Sequence, residues 1–168
     1  MITTHAATTA AAATVAGING GAFGAFSTFV MPALADVDVT SGVEAMQAIN
    51  RSAPRPFAAS LFGSIALGAL ATVTGVRRGR RAAAWAAVGT ALDVAALAVT
   101  AISNIPRNND LATWNSDATD PARWTTWVRG WTTPNTVRTL FSLGGLAAFA
   151  LSAAAGGAGA TRGEEDPR

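Results

Sequence analysis

Four long apolar stretches separated by polar segments set the pattern of this chain. They cover residues 10–34, 57–76, 82–105 and 137–160. Asp93 is the single charge in the third, and Arg138 the single charge in the fourth. At about 1.5 Å per residue, each stretch matches the thickness of a bilayer's hydrocarbon core. The pattern predicts an all-α fold: an integral membrane four-helix bundle with a short interfacial helix and a Trp-rich outer loop. Residues 10–160 then form the membrane domain, between an N-terminal tail over 1–9 and a polar, disordered C-terminal tail over 161–168.

Within the stretches, small and polar residues recur at helical spacing. In the first, Gly17, Gly20, Gly21 and Gly24 allow close helix approach, and Asn19 lies among them. Asn19 reads first as an interhelical hydrogen bond and second as a substrate contact. Ser60, Ser64, Gly68, Ala71 and Gly75 make a small-residue stripe on the second stretch. Thr90, Asp93, Thr100 and Asn104 make a polar stripe on the third, interrupted at Leu97. On the fourth, Arg138, Ser142, Gly145, Phe149, Ser152 and Gly156 share one face.

The connections carry their own signals. Ser41-Gly42-Val43-Glu44 reads as a capping box opening a short amphipathic helix, with Val43, Met46 and Ile49 on its apolar side. Arg77-Arg78-Gly79-Arg80-Arg81 lies between the second and third stretches. The positive-inside rule places that loop, and with it both termini, in the cytoplasm, with the plasma membrane as the expected location. No Arg or Lys precedes the first stretch, so it is expected to be retained rather than cleaved as a signal. Pro106 is expected to end the third helix. Thr133-Pro134 is expected to open the fourth as N-cap and first helical residue, which sets Arg138 in its first turns. Trp124, Trp127 and Trp131 fall on one face of a short helix, as an aromatic belt or a binding platform.

Composition narrows the chemistry. Half of the 168 residues are apolar and only 13% are charged, against about a quarter in soluble domains. The net charge of +2 gives no basic stripe for nucleic acid. With no cysteine and one histidine, His5 in an N-terminus expected to fray, thiolate and imidazole clusters are excluded. No metal site and no cofactor is expected. The expected partners are the bilayer and a small aromatic or lipid-like ligand, and homo-oligomers are possible.

The polar residues sort into two depths. Asn19, Ser64 and Asp93 lie near the midplane, where an ionised carboxylate costs at least about 2.5–3.5 kcal/mol. Asp93 is therefore a functional candidate, or a neutral partner of Asn19. Gln47, Asn50, Asn104, Asn108, Asn135 and Arg138 come from segment ends that converge at the outer rim. The Arg138 fork, with the positive end of its helix, suits an anionic oxygen.

The stretches Gly20–Ser27 with Met31–Leu34, Met46–Asn50, Asn104–Asn108, and Trp131 with Asn135 and Arg138 resemble the anthrone oxygenase family, small four-helix membrane proteins. The resemblance implies, for some members, oxidation of an anthrone to an anthraquinone by O₂ without a recognised cofactor. It carries Asn50, Asn104, Asn108, Trp131, Asn135 and Arg138 over as site residues. The chain departs from the family pattern at Arg107, Pro134 and Thr136.

Two functions of different class follow. In the first, a cofactor-independent oxygenase acts on a flat phenolic substrate. Arg138, Asn104 and Asn135 hold the oxyanion and Asp93 or Asp110 takes the proton. Asn50, Asn108, Gln47, Trp127, Trp131 and Asn19 line the substrate site. In the second, a non-catalytic membrane protein binds a lipid or quinone, or scaffolds a partner. A proton-coupled transporter is a third option.

Overall fold

Each apolar stretch folds as helix, and each helix overruns its stretch. The computed structural model describes residues 3–164, with side chains described for 3–157. Five helices follow in order: α1 (Thr4–Asp36), α2 (Val39–Ser52), α3 (Pro54–Val76), α4 (Arg80–Leu111) and α5 (Pro121–Glu164). A short 3-10 turn, Ser116–Ala118, stands between the last two. In α1, α3, α4 and α5 the length and apolar content suffice to cross a membrane, as in an integral membrane protein. These four form a ring in which α1 packs on α3 and α5, and α4 also packs on α3 and α5. Phe29, Phe62, Val73, Ile102 and Leu140 point outward, as a lipid environment allows.

The predicted stripes face inward. Ser64, Gly68, Ala71 and Gly75 of α3 are buried, as are Arg138, Ser142, Gly145, Phe149, Ser152 and Gly156 of α5. Their meeting point is the Phe149 ring, fully buried against Ala12 and Ala16 of α1. A Cβ on Gly68 or on Gly89 would lie 2.8 Å from ring carbons of Phe149. At the far end, Gly79 turns the chain between α3 and α4 with φ 118°, a backbone conformation that suits glycine.

Both internal prolines lie within continuous helix, contrary to the expectation that Pro106 and Pro134 mark boundaries. A helical proline lacks an N–H and its ring crowds the carbonyl four residues back. At Pro32 and Pro106 a single π-helical turn widens the helix just ahead, over Phe26–Val30 and Thr100–Asn104. The Met31 N–H then bonds the Phe26 carbonyl, and Ile105 N–H bonds that of Thr100. α5 runs straight through Pro134. Its start is Asp120-Pro121, where the Asp120 carboxylate accepts the Ala122 N–H at 2.6 Å. Arg138 is thus well beyond the first turn, and the helix dipole that was expected to assist it is too far away.

Three smaller expectations are also corrected. The α2 cap is Asp38, whose side chain accepts the Ser41 N–H at 2.9 Å, not Ser41. That bond holds the Asp38 carboxyl below its ordinary range, so the cap persists until pH falls through the lowered value. Glu44 instead accepts from the Ser116 hydroxyl. The expected N-terminal tail is helical from Thr4, where α1 begins, and His5 is buried. Its Nδ1 lies 3.2 Å from the Ala71 carbonyl and its Nε2 3.4 Å from that of Ser152, tying α1 to α3 and α5. Residues 161–164 continue α5, while 165–168, with Glu165 and Asp166, lie outside the described residues.

His5→Ala is expected to lower the thermal midpoint in detergent, because the buried ring's hydrogen bonding to α3 and α5 is lost, worth about 0.5–1.5 kcal/mol per bond. A midpoint equal to that of the unmodified chain would show that the first turn of α1 is not docked.

Candidate functional site

At the end opposite Gly79, α2 lies across the bundle and closes it. Its apolar side, Val43 and Met46, packs on Met31, Leu111 and a row of tryptophans. Trp124, Trp127 and Trp131 stack in sequence on α5, with centroids 5.5 and 6.3 Å apart. All three are buried. The row is therefore the core of this cap and not a lipid-facing belt. The spacing of three and four residues along one helix, with α2 covering it, produces the stack.

Below the cap is a cavity of about 370 Å³, bounded by α2, α3, α4 and α5, with Phe26 of α1. This volume is within the range of small-molecule sites. Phe57, Leu61, Leu97 and Ile105 make apolar walls. Its polar residues are Asn50, Thr100, Asn108 and Arg138, with the Trp131 indole alongside.

Arg138 is 8% exposed and has no carboxylate within salt-bridge distance among the described residues. Its Nε donates to Asn135 Oδ1 at 2.8 Å and Nη1 donates to Thr100 Oγ1 at 3.2 Å. The guanidinium lies over the Phe23 ring, 3.9 Å from its centroid, and 5.5 Å from that of Trp131. Aromatic faces offset part of its desolvation, but they do not neutralise its charge.

The amides at the cavity are arranged as donors. The Trp131 Nε1–H can only donate, and it occupies Asn108 Oδ1 at 2.7 Å. That bond engages one lone pair of the oxygen, and the Asn108 Nδ2 remains a donor. The Nδ2 of Asn50 is buried with no partner among the described residues. Guanidinium and amide nitrogens thus line one otherwise apolar cavity.

The remaining predicted residues hold this arrangement or lie away from it. Asn135 does not line the cavity; its Nδ2 donates to the Phe23 carbonyl and to Ser27 Oγ, both at 2.7 Å, and its oxygen orients Arg138. Asn104 donates to the Trp131 carbonyl at 3.2 Å from behind. Gln47 donates to the carbonyls of Leu111 and Trp114, pinning α2 to the end of α4, and lines an outer mouth that shares Asn50 and Asn108 with the cavity. Trp127 supports Trp131 and donates to the Arg107 carbonyl.

Two residues belong elsewhere. Asn19 accepts from Ser60 at 2.6 Å, and Asp93 accepts from Ser64. Each ties its own helix to α3, so the expected Asn19–Asp93 pair does not form, and neither lines the cavity. Asp110, the other base considered, faces outward 3.8 Å from Arg123. Thr100 was missed as a site residue, although its place on the Asp93–Asn104 stripe was a signal. Phe23 had none, because its role depends on Arg138 arriving from another helix.

The fold and site define an all-α integral membrane bundle with an apolar cavity, a buried arginine and an aromatic wall. The chain belongs to the anthrone oxygenase family, whose model matches residues 44–151. That stretch contains all of Asn50, Asn104, Asn108, Trp131, Asn135 and Arg138. No curated protein and no solved structure matches the chain.

Proposed function

We propose that this protein is an oxygenase that uses O₂, without a cofactor, to oxidise an anthrone or a similar phenolic polyketide in its cavity. The observation that carries the proposal is the buried Arg138 guanidinium, without an acid partner among the described residues, in an apolar cavity. Membership in the anthrone oxygenase family supports the reaction class.

An anthrone ionises to an enolate or phenolate whose negative charge is concentrated on oxygen. Arg138 would receive that oxygen, the Asn50 and Asn108 amides would meet other polar groups of the ligand, and Trp131 and Phe57 would flank the rings. The electron-rich carbanion form of the substrate can pass electrons to O₂ itself. The methylene loses two hydrogens and gains one oxygen atom, and the second oxygen leaves as water, which balances the step. No carboxylate or imidazole lines the cavity, so the protein's contribution is stabilising the anion rather than a side-chain base. The proton would leave toward the outer mouth near Gln47 and Asn109.

Oxygen uptake by the purified, detergent-solubilised protein on emodin anthrone tests this. Uptake well above that of heat-killed protein, with anthraquinone formed, is expected. Uptake equal to that control rejects this substrate and favours a binding protein, to be sought as co-purified lipid or quinone.

A further inference from the structure

α3 and α4 leave the Gly79 turn in close contact and then part. Near the turn they touch backbone to backbone: a Cβ on Gly75 would lie 3.0 Å from Ala83 main-chain atoms. Further along, Gly68 meets Thr90, where a Cβ would be 2.6 Å from its hydroxyl oxygen. Next comes the Ser64–Asp93 hydrogen bond, the only side-chain hydrogen bond between α3 and α4 among the described residues. Beyond it nothing polar joins them, and the cavity occupies the space between.

The edges of this opening are apolar and outward-facing. Ala58 and Phe62, four apart on α3, line the cavity yet are exposed. Ala101 and Ile105, four apart on α4, do the same on the facing edge. Spacing of four residues puts each pair on one side of its helix. The opening lies on the flank of two membrane-crossing helices, so what it faces is the hydrocarbon of the bilayer. The outer mouth differs: Gln47, Asn50, Arg51, Asn108 and Asn109 make it polar, and Gln47 fastens α2 there.

We infer that the cavity is loaded sideways from the bilayer, through the opening between α3 and α4, by a planar aromatic amphiphile whose acidic oxygen leads toward Arg138. This rests on the binding-site reading above and adds the route and the membrane-dissolved state of the ligand. Charge selects the orientation: the buried guanidinium and unpartnered Asn50 nitrogen attract an anionic oxygen, while the apolar edges admit a flat hydrocarbon body. A ligand dissolved in the bilayer need not return to water before binding.

The chain has no cysteine, so a single thiol can be placed at each opening. Ala101→Cys marks the side opening and Ala112→Cys the outer mouth, where Ala112 is exposed. Each variant is reconstituted in phosphatidylcholine vesicles and mixed with emodin, a stable anthraquinone phenol. The rate of tryptophan quenching is read before and after attachment of benzyl methanethiosulfonate, and again after reduction. The adduct at residue 101 is expected to slow both association and dissociation, by about tenfold or more, and to reverse on reduction. The adduct at residue 112 is expected to leave both rates unchanged. Slowing at residue 112 alone, or at neither position, overturns the side route while the site stands. No quenching in the unmodified chain rejects the phenol site itself, and the route with it.

Discussion

Arg138→Ala is expected to lower kcat for anthrone oxidation by about 10²-fold, the cost of removing one donor from an oxyanion site. The geometry behind this is specific. Among the described residues Arg138 is the only charged one lining the cavity, and Asn135 and Thr100 already fix its orientation. It is ready to meet an oxyanion without rearranging. The same bonds give it a structural role, since the alanine variant leaves Asn135 Oδ1 without its donor in a buried position. Arg138→Lys separates the two. The ammonium keeps the charge but lacks the planar fork that reaches Asn135, Thr100 and a ligand together. An intermediate rate for lysine, with both variants retaining wild-type helicity, supports oxyanion binding. Full activity in a folded alanine variant removes Arg138 from the chemistry.

Gly89→Ala is expected to destabilise the bundle. Its Cβ would lie 2.8–2.9 Å from three carbons of the Phe149 ring. The ring cannot retreat, because Gly68 stands equally close on α3 and Ala12 and Ala16 close the α1 side. Alanine gains about 0.5–1 kcal/mol over glycine in a helix interior. Overpacking costs about 1–3 kcal/mol, so the net effect is destabilising. Phe149→Leu in the same chain removes ring atoms and is expected to recover part of the loss. Thermal denaturation of the two single variants and the double variant measures that coupling. Additive effects would mean that Gly89 and Phe149 are not in contact.

The prolines show where reading the chain locally stops working. Asp120-Pro121 and Thr133-Pro134 are equally good helix starts by their residue types. Asp120 is the true cap because the stacked Trp124, Trp127 and Trp131 keep residues 121–134 helical against α2. Pro106 likewise fails to end α4, because the π turn ahead of it relieves the crowding. That turn spans Thr100–Asn104, from the residue that holds Arg138 to the one behind Trp131, and π turns often accompany functional sites.

The membrane spans and their buried faces were legible in the residues alone. Apolar length and helical periodicity are local properties, and a bilayer leaves a long uncharged stretch few alternatives to helix. That Asn50, Asn108 and Arg138 share one cavity was legible too, because the polar ends of apolar stretches on one side of a membrane must meet. Partner choice was not. Whether Asp93 bonds Asn19 or Ser64, whether His5 frays or docks, and whether Asn135 faces the ligand or the Phe23 carbonyl depend on the rotation and approach of neighbouring helices. Those are set by sockets such as Gly68, Gly89 and Gly156, whose fit exists only once all four helices are packed.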